Sequence, residues 1–438
     1  MDDVTALYRE LDPLRPLTPA EDDLYVDWQR QLDPEGRDAK SRLIQTFRRN
    51  ASPEHPITRL LTGHRGCGKT TELNRVRDAL SSGRGGSSKI FVSTLFAGQW
   101  LDLEDVQPED LVLQIVRQLV ADLHAAGVPL GAQKFKGLFG SLVDRVKGTR
   151  LEKVNLGVDP LTFSFTFEHF PTARDEFREL LRAQLSTVFD LVNSDLLPSA
   201  RRELALKGFS DVLLIVDDLD RIPQRVLLDG GVTNHHSLFL DGSKELRSIN
   251  CSMLLTVPLE LAYSPAHAAL KNTYGGAMHT LPLLPVVGRD GAPIAKGHAV
   301  LVEIIGRRAQ RAFGTPASDP HACAARIFSD KELLGRVVRL SGGHLRSLLV
   351  IVSELLDWIE ELPVGPGAVD RYVSESARNF DRPLRPSDRE LLRRVAADGR
   401  SPEEPRFFEL LRNMYVFAYG SEDGDWYGLN PLLREIEL

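Results

Sequence analysis

Residues 63–70 read GHRGCGKT, a full match to the spacing GxxxxGK[ST], and no other stretch of the chain restricts the fold so tightly. The apolar run ITRLLTG (57–63) leads into it, and helical apolar spacing follows Lys69. A buried strand, a glycine-rich loop and a helix in that order can point several backbone N–H groups inward as a nest for phosphate oxygens. Gly63, Gly66 and Gly68 allow backbone approaches that a Cβ would obstruct. Lys69 is then expected to reach the outer phosphates, and the hydroxyl of Thr70 to bind Mg²⁺. His64, Arg65, Cys67 and Thr71 complete the candidate cofactor-binding set. The plain alternative is a glycine-rich turn with a solvated lysine, which the flanking strand and helix disfavour.

A phosphate cradle needs an acidic strand end, and VLLIVDDLDR supplies one. Five apolar residues deliver Asp217 and Asp218 to the C-terminal edge of a sheet, where α/β folds bind ligands. Asp217 is expected to hold Mg²⁺ through water, and Asp218 to orient or deprotonate an attacking water. Asp220 and Arg221 are read as a pair with no catalytic role. Thr256 ends the strand-like SMLLT and is a candidate contact to the outer phosphate or the water; an ordinary β-branched strand residue is the other reading. Arg346 opens an apolar helix after SGGH, where a guanidinium can close over phosphate oxygens or lie on the surface.

The stretch LSGG (340–343) is also the opening of the ABC-ATPase signature. Such a signature precedes the acidic strand of its own site, whereas Ser341, Gly342 and Gly343 follow Asp218, so the transporter reading fails on order. Those glycines read instead as a turn that starts a helix close to the nucleotide.

The patterns divide the chain into an N-terminal segment (1–56), an α/β core (57–290) with an insertion at about 100–210, a helical lid (298–362) and a C-terminal module (368–438). Within that module, helical spacing near 387–397 and 404–413 and two strand-like runs in YVFAYGSEDGDWYGLN predict a winged-helix-like domain. The overall expectation is an α/β fold with a parallel sheet. No run approaches the ~18 apolar residues of a membrane span, and the first residues lack the basic and apolar blocks of a secretory signal, which points to the cytoplasm. Cys67, Cys251 and Cys323 are odd in number and far apart, which argues against a disulfide framework or a zinc site. A net charge of −7 gives no general attraction for nucleic acid or membrane.

Together, GHRGCGKTTEL, LLIVDDLDR, LLTVP and LSGGHLRSLL resemble the AAA+ and STAND branches of P-loop ATPases, with origin-recognition-type and KAP-type relatives. The resemblance covers roughly residues 20–438. It implies ATP or ADP with Mg²⁺ as ligands, slow ATP hydrolysis, Thr256 as first sensor and Arg346 as second. PLTPAEDDLYVDW (16–28) resembles the adenine-side segment of the family. KAP proteins often carry membrane spans between the two main motifs; none is present here. Hexameric motors carry an arginine after the first sensor, and LELAYSPAHAALKNTYGG has none. That departure favours a nucleotide-controlled switch read by a separate effector or regulatory protein, with oligomerisation on ATP binding as an option and antiviral defence as the setting such architectures imply. DNA is the weaker alternative partner. For it stand Arg378, Arg382, Arg385, Arg389, Arg393 and Arg394; against it stands an acidic hairpin tip, Glu422, Asp423 and Asp425. Lys134, Lys136, Arg145, Lys147, Arg150 and Lys153 form a second basic stretch, read as a solvated helix face.

Overall fold

Four strands with apolar centres build a parallel sheet: β1 (Thr58–Thr62), β2 (Lys89–Phe96), β3 (Phe209–Asp217) and β4 (Ser252–Thr256). The computed structural model describes residues 2–438 apart from 33–34, 36–37, 51, 84–87, 130–170, 228–231, 277, 403 and 421–424. The order is β2-β3-β4-β1-β5, with the two-residue β5 (His279–Thr280) at the β1 edge. All residues of β4 and residues 211–217 of β3 are buried, as expected where both faces of a sheet are covered. Because β1, β3 and β4 pair in parallel, their C-terminal ends share one edge. Leu61 lies opposite Thr256, and Val216 opposite Leu255. Thr62, Asp217 and Thr256 therefore end at the same rim.

The chain divides into two compact units, one of residues 1–42, 63–75 and 280–438, the other of residues 43–62 and 76–279. The second holds β1 to β4 and the helices that cover them. Helix Pro108–Ala125 buries Leu111, Ile115, Val116 and Leu119, and helix Pro171–Leu191 buries Phe177, Leu181 and Val188. These side chains share one core with Leu214, Val216, Met253 and Leu255 of the sheet. The flanks of the segment read from sequence as an insertion thus belong to the core of this unit. Its middle, with Lys134 to Lys153, lies outside the described residues. The second of these helices does not stop at Leu196. A π-turn at Val192–Leu196 passes it into Leu197–Leu206, with Pro198 in the first turn, where its missing N–H is harmless.

The other unit is mainly helical. Residues 298–362 contain most of helix Ala295–Ala312, then Pro320–Ala325, Lys331–Leu340 and Leu345–Leu356. Asp319 and Asp330 cap two of these through their carboxylates, as short acidic residues before a helix should. Pro366–Asp381 is a helix that begins between the bounds expected for the lid and the C-terminal module. Gly365 and Pro366 begin it, as N-cap and first residue. Helices Pro386–Asp398 and Pro405–Arg412 follow at the expected places, then β6 (Val416–Tyr419) and β7 (Trp426–Leu429) pair antiparallel. Glu422 and Asp423 of the hairpin tip lie outside the described residues. Among the described residues no helix is long and apolar enough to cross a membrane.

Candidate phosphate-binding loop and acidic strand end

The loop that follows β1 has the backbone its glycines suggested. Gly63, Gly66 and Gly68 stand at φ 154°, 94° and 101°, a region L-residues rarely occupy. At Gly66 there is a second constraint: a Cβ would lie 2.8 Å from Cβ of Arg346 and 2.9 Å from Nε2 of His344. Lys69, only 5% exposed, opens helix Lys69–Ser82 and donates from Nζ to the carbonyls of Gly63 (2.8 Å) and His64 (2.9 Å). A buried ammonium held on loop carbonyls at the N-terminus of a 14-residue helix is a seat of positive potential lined by backbone donors. These residues fit a nucleotide phosphate chain.

Most of the surrounding support was not read from the sequence. His344 caps helix Leu345–Leu356: its Nδ1 accepts the Ser347 N–H (3.1 Å), and its Nε2–H donates to the carbonyl of Arg65 (2.9 Å). Burial pushes its pKa down to about 3, so the ring is neutral. Arg346 donates its N–H to the Gly66 carbonyl (3.2 Å) and its Nε–H to the Pro13 carbonyl (3.2 Å). The SGG turn accordingly does bring a helix start against the loop. Gly343 allows this, since a Cβ there would be 1.7 Å from the Leu284 carbonyl oxygen. His64 is 2% exposed; its Nε2 accepts the N–H of Ala418 (2.9 Å) and its ring meets Phe417 edge-on at 5.8 Å. Cys67, like Cys251 and Cys323, is a buried thiol outside any disulfide.

Thr71 is engaged by the N-terminal segment, its hydroxyl accepting the Leu17 N–H at 3.1 Å. Asn74 donates to the Leu17 carbonyl at 3.0 Å. Further along, Tyr25 donates to Glu72 (3.1 Å), and Lys40 donates to Tyr25 (2.7 Å) and to Asp27 (2.6 Å). Burial raises the Glu72 carboxyl to about 7 despite the nearby Lys40 ammonium. The signal for this cluster was present: a glutamate two residues after the motif and a tyrosine in DDLYVDW.

At the end of β3, Asp217 is 2% exposed, and its Oδ1 accepts the Asp218 N–H at 2.8 Å. Asp218 occupies the left-handed region at φ 69°, a strained position that a short acidic residue tolerates and that recurs at functional sites. Arg221 pairs with Asp218 (Nε to Oδ1, 3.2 Å), two residues before the Asp220 partner expected, because the 3₁₀ turn Leu219–Arg221 brings residues three apart together. Thr256 is fully buried. Its hydroxyl accepts the Leu219 N–H (3.1 Å) and faces the Val216 carbonyl at 3.4 Å, so it pins the turn that carries the two aspartates.

In the C-terminal module, much of the arginine run meets carboxylates: Arg389 with Asp381 (2.5 Å), Arg393 with Glu390 (2.8 Å), and Arg394 with Glu404 (2.5 Å). Arg406, unremarked in the sequence, grips Asp388 with Nε at 2.8 Å and Nη2 at 2.9 Å.

No protein-family model and no curated protein matches the chain. Among solved structures, a Walker-type ATPase of Pyrococcus abyssi aligns with 97% of this chain and 97% of its own at 17% identity and a TM-score of 0.44. The Aeropyrum pernix ORC2 protein, in ADPNP and ADP complexes, aligns over 97% and 93% at 14% identity and 0.42. Drosophila ORC bound to DNA aligns over 98% and 89% at 13% identity and 0.41. The α/β P-loop architecture stands on the strand order and the loop itself.

Proposed function

We propose that the chain is an ATP-binding, Mg²⁺-dependent P-loop ATPase that works as a slow regulatory switch. The loop from Gly63 to Lys69 carries this reading: three glycines with positive φ and a buried ammonium suit the cradling of phosphates. Lys69 would bind the outer phosphate oxygens, and Thr70 and Asp217 would hold the ion. Magnesium, when bound, neutralises phosphate charge and favours phosphoryl transfer to water. Asp218 would orient that water, and the Arg221 guanidinium, 3.2 Å from its Oδ1, holds the carboxylate in place. Arg346, anchored at the loop, would respond to the phosphates. The pairing of Arg389, Arg393 and Arg394 with carboxylates weighs against DNA, because a duplex would have to displace those acids; in this reading the switch acts through a separate protein.

Calorimetric titration with ATP tests the reading. Micromolar binding in Mg²⁺ that weakens at least tenfold in EDTA is expected. Binding that is absent, or indifferent to Mg²⁺, sinks it.

A further inference from the structure

The phosphate loop is tied by a side chain to the C-terminal hairpin. In the β6/β7 ladder Ala418 stands opposite Tyr427, whose own N–H goes to the Gly399 carbonyl at 3.0 Å. Ala418 and Tyr427 are therefore a pair that exchanges no ladder bonds, and the Ala418 N–H points away from β7. An outward N–H on an edge strand is normally left to water. Ala418 is only 4% exposed, so this donor would be costly to bury without a partner. His64 of the loop is that partner, accepting at Nε2. Burial holds the ring's pKa well below the ordinary histidine range, which keeps the accepting lone pair available at neutral pH.

The contact is reinforced on both sides. Phe417 is fully buried against His64 and Gly342, where a Cβ would come within 2.3 Å of its ring, and Tyr419 donates its hydroxyl to the Gly342 carbonyl at 2.7 Å. On the loop side the carbonyl of the same His64 accepts the Lys69 ammonium and the Cys67 N–H (3.1 Å).

We propose that Ala418 and Phe417 are positioning residues for the phosphate loop: the hairpin sets His64, and His64 sets the carbonyl on which Lys69 rests. Resting on the nucleotide-binding reading above, this couples the loop to the hairpin in both directions. A phosphate that binds the loop in the shape the hairpin sets tightens the bond to Ala418, and removing that bond lowers nucleotide affinity by the factor by which the nucleotide strengthens it.

The test uses the full chain and Mg²⁺–ATP. Wild-type affinity is measured first by calorimetry, then amide hydrogen exchange over residues 414–420 with and without ATP. Ala418→Pro removes the outward N–H while sparing the ladder, since proline is tolerated on an edge strand with its nitrogen outward. The expected result is exchange over 414–420 that slows several-fold on ATP binding, and an ATP affinity in Ala418→Pro lowered by about five-fold or more. His64→Gln, which keeps an acceptor oxygen, should lie closer to wild type in both readouts than His64→Leu. Wild type that binds ATP with exchange over 414–420 unchanged overturns the coupling and leaves the nucleotide reading intact. So does an Ala418→Pro affinity within two-fold of wild type. Failure of the wild type to bind ATP overturns both. The wild-type exchange comparison decides the matter even if Ala418→Pro fails to fold.

Discussion

Lys69 is a buried ammonium with its charge spent on two carbonyls of its own loop. Lys69→Ala removes that charge from the seat of the phosphates. A charged hydrogen bond contributes ~1.5–3 kcal/mol, so ATP affinity should fall by roughly 10- to 150-fold; equal affinity in calorimetry would remove Lys69 from the site. Asp218→Asn keeps the shape of the turn and loses the carboxylate that Arg221 holds. Single-turnover hydrolysis should drop by about 10²-fold or more while ATP affinity stays within a few-fold. Unchanged turnover would show that Asp218 does not act on the water. At this scale the sequence was most informative where chemistry demands set residue types at set spacing: Gly63 to Thr70, and the aspartates after an apolar strand. It was silent on where hydroxyls turn. Thr256 stands on the expected strand, yet its Oγ1 is bonded to the backbone of the neighbouring turn. The pairing of Arg221 with Asp218 follows from turn geometry that composition does not encode.

Among the elements, the turn at Ser341–Gly343 and the helix behind it depend on an uncharged His344. Its folded pKa, held near 3 chiefly by burial, lies below the ordinary value of 6.5. Its contribution is therefore fully present above about pH 6.5 and is lost as pH falls toward 3, at on the order of 1 kcal/mol per pH unit. Glu72 has the opposite sign. With a folded pKa raised from 4.5 to about 7, its burial costs stability as pH rises through that window. Thermal melts between pH 7 and 5 should show His344→Asn with a flatter acid limb than wild type and Glu72→Gln with a steeper one. Parallel curves for all three proteins would refute the assignment. Strand and helix types were legible wherever periodicity was strong, as in β3, β4 and Pro108–Ala125. Boundaries at prolines were not. Pro366 begins a helix just before the bound expected for the C-terminal module, and Pro198 sits inside a longer helical run because a π-turn precedes it.

For the molecule as a whole, salt separates the two candidate partners. Duplex binding through the arginine run would weaken steeply with salt, with a slope near −0.9 per neutralised phosphate, and removing Arg389, Arg393 and Arg394 together would flatten it. With those arginines paired to Asp381, Glu390 and Glu404, DNA affinity at physiological salt is expected to be weaker than ~10⁻⁶ M. Limited proteolysis near 288–297 and 363–367 should instead differ between ATP and ADP. Tight, salt-steep DNA binding with identical cleavage in both nucleotides would favour the DNA-associated reading.

The bond from Ala418 to His64 spans 354 residues of chain. On a ribosome adding roughly 5–20 residues per second, the loop motif emerges on the order of 20–70 s before the strand that completes its support. Until then His64 lacks its donor and Phe417 is not there to pack on it. On the coupling proposed above, the loop would acquire its final shape late in synthesis, and a nascent chain that already displays the whole motif would not yet bind nucleotide as the full chain does.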